Sequence, residues 1–274
     1  MKEHRITTDS GIICCHDSGS DSPPLLLIHG NSSCKEVFAA QFADPALAGF
    51  RLIAPDLPGH GASDDASDPA TTYTFGGYAG VLEQVLTALN VARPVVFGWS
   101  LGGHVALELA GRGNALAGVM ICGTPPVKPE LPCLMAAFNI DPAAENLTGK
   151  RDFTDEDALA YATHTAGVGS QVDPHLLAMV RRTDGRAREI MFGSVVSGVP
   201  MDEQVIVASM AMPLAVVNGA EDPFIQHSYF DTLRYATLWP QGIVALPGAG
   251  HAPFLQTPAA FNPLLSQFAA ACQT

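Results

Sequence analysis

Basic residues are scarce in this chain. Fourteen Lys and Arg stand against 27 Asp and Glu, a net charge of −13 over 274 residues. A surface this acidic repels phosphate backbones and anionic headgroups, so neither nucleic acid nor a membrane surface is an expected partner. Charged residues are only 15% of the chain and hydrophobic ones 47%, which excludes a disordered polymer and allows a large core. No apolar run reaches the length of a membrane span, and the N-terminal "MKEHRITTDSG" lacks the apolar centre of a secretion signal. C-x-x-C pairs are missing. The six cysteines (14, 15, 34, 122, 133 and 272) therefore read as reduced, mostly buried thiols, as in a cytoplasmic protein. The glycine-rich loops carry neither a P-loop lysine nor G-x-G-x-x-G, and no His/Cys/Asp group has metal-site spacing. No cofactor and no metal are expected. The expected partner is a small-molecule substrate, and nothing in the pattern calls for more than a monomer.

What is present is a rhythm of buried strands and amphipathic helices. "HRITT" and "GIICCHD" read as strands joined through "DSG". "PLLLIHG", "FRLIAPD", "PVVFGWS" and "LAGVMICG" are short apolar runs, as in a parallel sheet buried on both faces. "YAGVLEQVLTALN" and "LGGHVALELAGR" have helical spacing. This alternation predicts an α/β fold, a mostly parallel twisted sheet flanked by helices. The rhythm breaks after Thr124 and returns near Pro213, with "PLAVVNG" and "GIVALPG" as strands and "YFDTLRYA" and "FNPLLSQFAAAC" as helices. The expected organisation is a core over 1–124 and 210–274, with a helical cap inserted over 125–209.

In a parallel sheet, reactive groups gather at the carboxyl ends of strands. Ser100 lies in Gly98-Trp99-Ser100-Leu101-Gly102, a G-x-S-x-G between a strand and a helix, where a tight turn lifts the hydroxyl out of the sheet. A serine needs a base. His251, in "PGAGHAPF" after the last strand, is placed to reach back over Ser100. His29 and His60 read as loop-organising, and His104 as packed beneath the turn. The base needs a carboxylate, and "VVNGAEDPF" offers Glu221 and Asp222, of which Asp222 is preferred. The order Ser100, Asp222, His251 is that of nucleophile, acid and base in α/β hydrolases. An oxyanion would be met by the backbone N–H groups of Leu101 and Asn31. "RRTDGRARE" reads as a solvated loop with internal ion pairs.

Across nearly its full length the chain resembles the α/β-hydrolase superfamily, through "LLLIHGN", "APDLPGHGASD", "GWSLGG", "NGAEDPF" and "GAGHAPF" in that order. More narrowly, "HGNSS", "VVFGWSLGGH", "GTPPV", "RTDGRAR" with "IMF", and "PLAVVNG" resemble the serine-dependent N-acyl-homoserine lactonases, quorum-quenching enzymes that open a lactone without a metal. The resemblance implies nucleophile Ser100, base His251 and an oxyanion hole at Asn31 and Leu101. It also implies that Tyr161 hydrogen-bonds the lactone or its amide. One departure is that the lactonases are expected to carry Glu at the position of Asp222, preceded by Asp; here the two are exchanged. The segment between Pro129 and Gly149 also matches less well, so acyl-length preference does not carry over. Trp99, Met135 and Phe138 complete the expected substrate contacts, the latter two in a Met/Phe-rich cap over the acyl chain. The function expected is opening of N-acyl-homoserine lactones. The alternatives are a general carboxylesterase or carbon–carbon bond hydrolase using the same residues, and a non-catalytic receptor for a small ligand.

Overall fold

The computed structural model describes residues 1–140, 145–167 and 171–273. Eight strands form one sheet: β1 (Lys2–Thr8), β2 (Gly11–Asp17), β3 (Pro24–Ile28), β4 (Arg51–Pro55), β5 (Val95–Trp99), β6 (Gly118–Cys122), β7 (Leu214–Gly219) and β8 (Leu238–Leu246). Their spatial order is β1-β2-β4-β3-β5-β6-β7-β8. β1 and β2 form an antiparallel hairpin, β2 meets β4 antiparallel, and every pair from β4 to β8 is parallel. The helices are α1 (Ala39–Ala43), α2 (Pro69–Thr72), α3 (Phe75–Ala88), α4 (Leu101–Gly111), α5 (Leu131–Ala137), α6 (Asp155–Ala166), α7 (Pro174–Arg182), α8 (Gly185–Val196), α9 (Glu203–Ser209), α10 (Pro253–Gln256) and α11 (Pro258–Ala271). Among the described residues no helix is long and apolar enough to cross a membrane.

The central strands are apolar on both faces because both faces are covered. Leu26, Ile28, Val96, Val119, Ile121, Leu214 and Val216 point into one layer with Leu82, Val85 and Val105 of α3 and α4. Their neighbours Leu25, Leu27, Phe97, Trp99, Met120, Ala215 and Val217 point into the other, with Phe254, Phe261 and Phe268. Each such aliphatic side chain, fully buried, contributes about 1.5–3 kcal/mol. α3 begins where the Thr74 hydroxyl accepts from Gly77 N, and the chain turns away at Asn90, whose φ is +52°. Among the described residues, five helices, α5 to α9, lie between β6 and β7. Within them Tyr161, Ala158 and Ala162 of α6 pack on Val180 of α7 as a small separate cluster.

One expected element is replaced. "YFDTLRYA" forms only a 3₁₀ turn, His227–Thr232, instead of a crossover helix. The sheet face there is already occupied. α9 packs on α4, and Ala236 N donates to Val207 O of α9, so the segment has little apolar surface left to cover.

The loops at the carboxyl edge are anchored by a buried ion pair. Lys35 Nζ lies 2.8 Å from Asp56 Oδ2, with side chains 3% and 0% exposed. Asp56 also accepts from Lys35 N and Ala62 N, which ties the loop after β3 to the loop after β4. Burial alone would lower the Lys35 pKa; Asp56 and Glu36 outweigh it and raise it. Lys35→Met should cost about 3–5 kcal/mol, read as a lower urea midpoint, because Asp56 is left as a buried unpaired charge. Adding Asp56→Asn should recover part of that loss; a double variant weaker than the single one would mean that charge pairing is not the cause.

Candidate active site

Ser100 joins β5 to α4 with no intervening residue, at φ 53° and ψ −121°. A side chain in that left-handed region is strained. The flanking glycines are required by contact: a Cβ on Gly98 would sit 2.2 Å from Gly102 O, and one on Gly102 would sit 2.1 Å from Ile28 O. Strand, turn and helix are therefore closer than any side chain allows. The backbone of the turn is held from β6, with Ser100 N donating to Cys122 O (2.8 Å) and Thr124 Oγ1 donating to Ser100 O (2.9 Å). The half-buried Ser100 hydroxyl has no hydrogen-bond partner among the described residues.

β7 and β8 deliver the next two groups. His251 Nδ1 lies 2.8 Å from Asp222 Oδ2, with side chains 5% and 0% exposed. Asp222 Oδ1 accepts from Phe224 N, so both oxygens are committed. The carboxylate oxygen accepts, so Nδ1 is the donor of this hydrogen bond. Glu221, by contrast, is exposed and accepts from Gly248 N. Tight walls fix the imidazole. Phe224 packs edge-on at 4.8 Å, and Trp99 donates its indole N–H to His251 O at 2.7 Å. Gly123 closes the back of the ring, since a Cβ there would meet His251 Cε1 at 2.7 Å.

The loop after β3 forms the opposite wall. A Cβ on Gly30 would lie 3.2 Å from Ser100 Cβ, so this loop touches the turn. The backbone N–H groups of Asn31 and Leu101 donate no hydrogen bond among the described residues. Two unused donors thus flank the serine, where they could receive a developing negative charge. The Asn31 loop is pinned from above: Asn31 Nδ2 donates to Thr148 O (3.1 Å), and Tyr161 OH donates to Asn31 O (3.4 Å). Burial raises the Tyr161 pKa, so its hydroxyl keeps its proton.

Arg188 was not singled out by the sequence. It is 2% exposed, unlike a residue of a solvated loop. Its Nη1 donates to Ser32 Oγ (3.2 Å), whose hydroxyl donates on to Asn31 Oδ1 (3.3 Å). Its Nε and Nη2 donate to Lys150 O and Arg151 O, and its guanidinium lies 3.8 Å over the Phe153 ring. Burial pulls its pKa below the usual arginine range, and among the described residues no carboxylate pairs with it. Of its neighbours, only Arg186 makes the expected internal ion pair, with Asp184; Arg181 and Arg182 pair outside the segment, with Asp155 and Asp65, and the segment is not a loop, because it ends α7 and begins α8. Nothing in the one-dimensional pattern separates the buried arginine from those three.

Other expected residues fall in several places. Trp99 is 1% exposed beneath the site, where its indole N–H supports His251. Phe138 is half-buried, near His104 and bridged to Ile225 on the loop that carries Phe224. Met135 is 44% exposed on α5. His29 donates Nδ1–H to Gly30 O and accepts from Leu57 N, and His60 Nδ1 bonds Pro58 O; both shape loops. His104 lies under the turn, 2.8 Å from Glu203 Oε1 and stacked on Phe75.

The alpha/beta hydrolase family model matches residues 25–264. Among solved structures, N-acyl homoserine lactonase AidH complexed with N-butanoyl homoserine is 39% identical, covering 100% of this chain and 98% of that one, with a TM-score of 0.94. A serine-to-glycine mutant of AidH complexed with N-hexanoyl homoserine lactone is 40% identical over 99% of this chain and 98% of that one, at 0.93. A pimeloyl-[acyl-carrier protein] methyl ester esterase of Nitrosospira multiformis is 28% identical over 262 residues, 92% of this chain and 97% of its own length.

The geometry separates the two adjacent carboxylates. Asp222→Asn should slow reaction of Ser100 with a fluorophosphonate by roughly 10⁴-fold, because the imidazole loses its partner and its tautomer. Glu221→Gln should react at nearly the wild-type rate. The reverse ranking would assign the acid to Glu221.

Proposed function

Because this chain belongs to the alpha/beta hydrolase family, we propose that Ser100, His251 and Asp222 are its nucleophile, base and acid, and that it hydrolyses the ring ester of N-acyl homoserine lactones. The observation that carries the hydrolase reading is the meeting, at one sheet edge, of an unpartnered serine hydroxyl with two unused backbone donors. The lactone reading is supported by the full-length likeness to AidH.

In this mechanism Ser100 Oγ attacks the lactone carbonyl and its proton passes to His251 Nε2. The tetrahedral oxyanion is received by Asn31 N–H and Leu101 N–H, at the N-terminus of α4. The ring C–O bond then breaks, and His251 returns the proton to the alkoxide, which stays tethered to the acyl-enzyme. His251 next takes a proton from water, the hydroxide attacks the ester carbon, and N-acyl-homoserine leaves as Ser100 is reprotonated. Asp222 stabilises the imidazolium in both halves. In the same reading residues 125–209 are a cap: Tyr161 faces the amide from above the Asn31 loop, and Phe138 borders the acyl trough. Arg188 is a positioning residue, holding the Asn31 loop through Ser32. The likeness to a methyl ester esterase favours a second reading, a general carboxylesterase using the same residues.

A panel of acyl-homoserine lactones and aryl esters decides between them. The expected product is the ring-opened acid, heavier by one water, with no free homoserine lactone released. Good aryl-ester turnover with every lactone left intact would give the function to the esterase reading. Ser100→Ala and His251→Ala should each lower kcat by several orders of magnitude, and the double variant should be little worse than either. Additive losses would separate the two residues. Tyr161→Phe should weaken lactone turnover more than that of an aryl ester, which has no amide.

A further inference from the structure

Beside the start of α7, two side chains that follow β3 meet one from the helix. Cys34 Sγ, a Glu36 carboxylate oxygen and a His175 ring nitrogen all lie within 4.8 Å of one another. Cys34 closes the loop after β3, Glu36 lies in the 3₁₀ turn Lys35–Phe38, and His175 is the second residue of α7. His175 Nε2 is 3.7 Å from Glu36 Oε2. That is too long for a hydrogen bond. It is close to the separation of two ligands on one tetrahedral ion, about 3.3–3.7 Å for bonds of about 2.0–2.3 Å.

The surroundings are also organised as a ligand set needs. Glu36 Oε1 is held by Lys35 Nζ at 2.8 Å, which leaves Oε2 turned toward His175. A ligating carboxylate commonly has its second oxygen fixed in this way. The Lys35 ammonium would oppose a nearby cation, but Asp56 already pairs with it. His16 Nε2 stands 3.9 Å from Glu36 Oε1 and 4.0 Å from Glu3 Oε2, at the edge of the cluster. Cys34 is fully buried, whereas the His175 side chain is 53% exposed, so an ion can enter from the α7 side and the ring is free to adjust.

We propose that Cys34, Glu36 and His175 form a site for a zinc-class divalent cation that ties α7 to the loop following β3. One sulfur, one imidazole and one carboxylate suit zinc or cobalt; magnesium and calcium call for oxygen ligands throughout. Three protein ligands leave a fourth position for water. Binding replaces the Cys34 S–H bond with an S–metal bond and releases one proton, while His175 binds as the neutral ring. The site shares no side chain with the Ser100 centre, and its occupancy is read without any substrate.

The test uses the full-length, reduced, metal-stripped protein with zinc or cobalt alone. Zinc titrated against a chromophoric chelator should show one tight equivalent per chain. Cobalt should give a thiolate-to-metal charge-transfer band. His175→Ala and Glu36→Gln should weaken zinc binding by roughly 100-fold or more, since even changes in groups supporting a ligand cost 10–100-fold. Cys34→Ser should abolish the cobalt band. Replacing the buried cysteine can disturb folding, so the exposed His175 carries the decision. If His175→Ala binds zinc as tightly as the wild type, or the wild type binds none at micromolar zinc, or the cobalt complex lacks the thiolate band, the proposal is overturned.

Discussion

The constraint on which the site depends is the close approach of β5, α4 and the end of β3 around Ser100. With a strand ending and a helix beginning at the same residue, the backbone is forced to φ 53°. That conformation persists only because neighbouring elements over-determine it. β6 holds the turn through Ser100 N and O, and β3 presses against it through Gly102 and Gly30. The same compression leaves Leu101 N–H and Asn31 N–H without partners among the described residues, on one side of the serine. The strain and the unused donors are consequences of one packing arrangement.

Around that turn, polar loops are fixed by buried hydrogen-bonding groups with well-defined roles. His29 has both ring nitrogens committed, one donating and one accepting, and burial lowers its pKa, so it is a neutral strut. Lys35 and Asp56 clamp two loops together by charge. Arg188 spans from Lys150 and Arg151 to Ser32, carrying order from the helical segment down to Asn31. A buried guanidinium without a carboxylate is costly, and its donors are matched here by carbonyls, a hydroxyl and an aromatic face. The loop that presents Asn31 is thus held both from the sheet and from the segment between β6 and β7.

The strand pattern was legible because every central strand is buried on both faces. The resulting unbroken apolar runs are distinctive in one dimension, and so is a glycine on either side of a serine where a run ends. "YFDTLRYA" misled because its spacing is helical while its surroundings left it little to cover: α9 had taken the face. Trp99 owes its place to strand alternation, which turns it into the layer with Phe254, beneath His251.

By itself the sequence determined the α/β layering, the strand-to-helix joint at Ser100 and the loops on which a base and an acid could lie. These depend on local periodicity and on residues adjacent in the chain. Only the tertiary structure decided which of two neighbouring carboxylates meets His251, because Glu221 and Asp222 are chemically alike and differ only in where the chain leaving β7 points them. It alone separated Arg188 from three other arginines by burial, and brought His175 to Cys34 and Glu36 across some 140 positions. Sequence spacing carries no record of such meetings, since they are set by how the helices between β6 and β7 pack against the sheet edge.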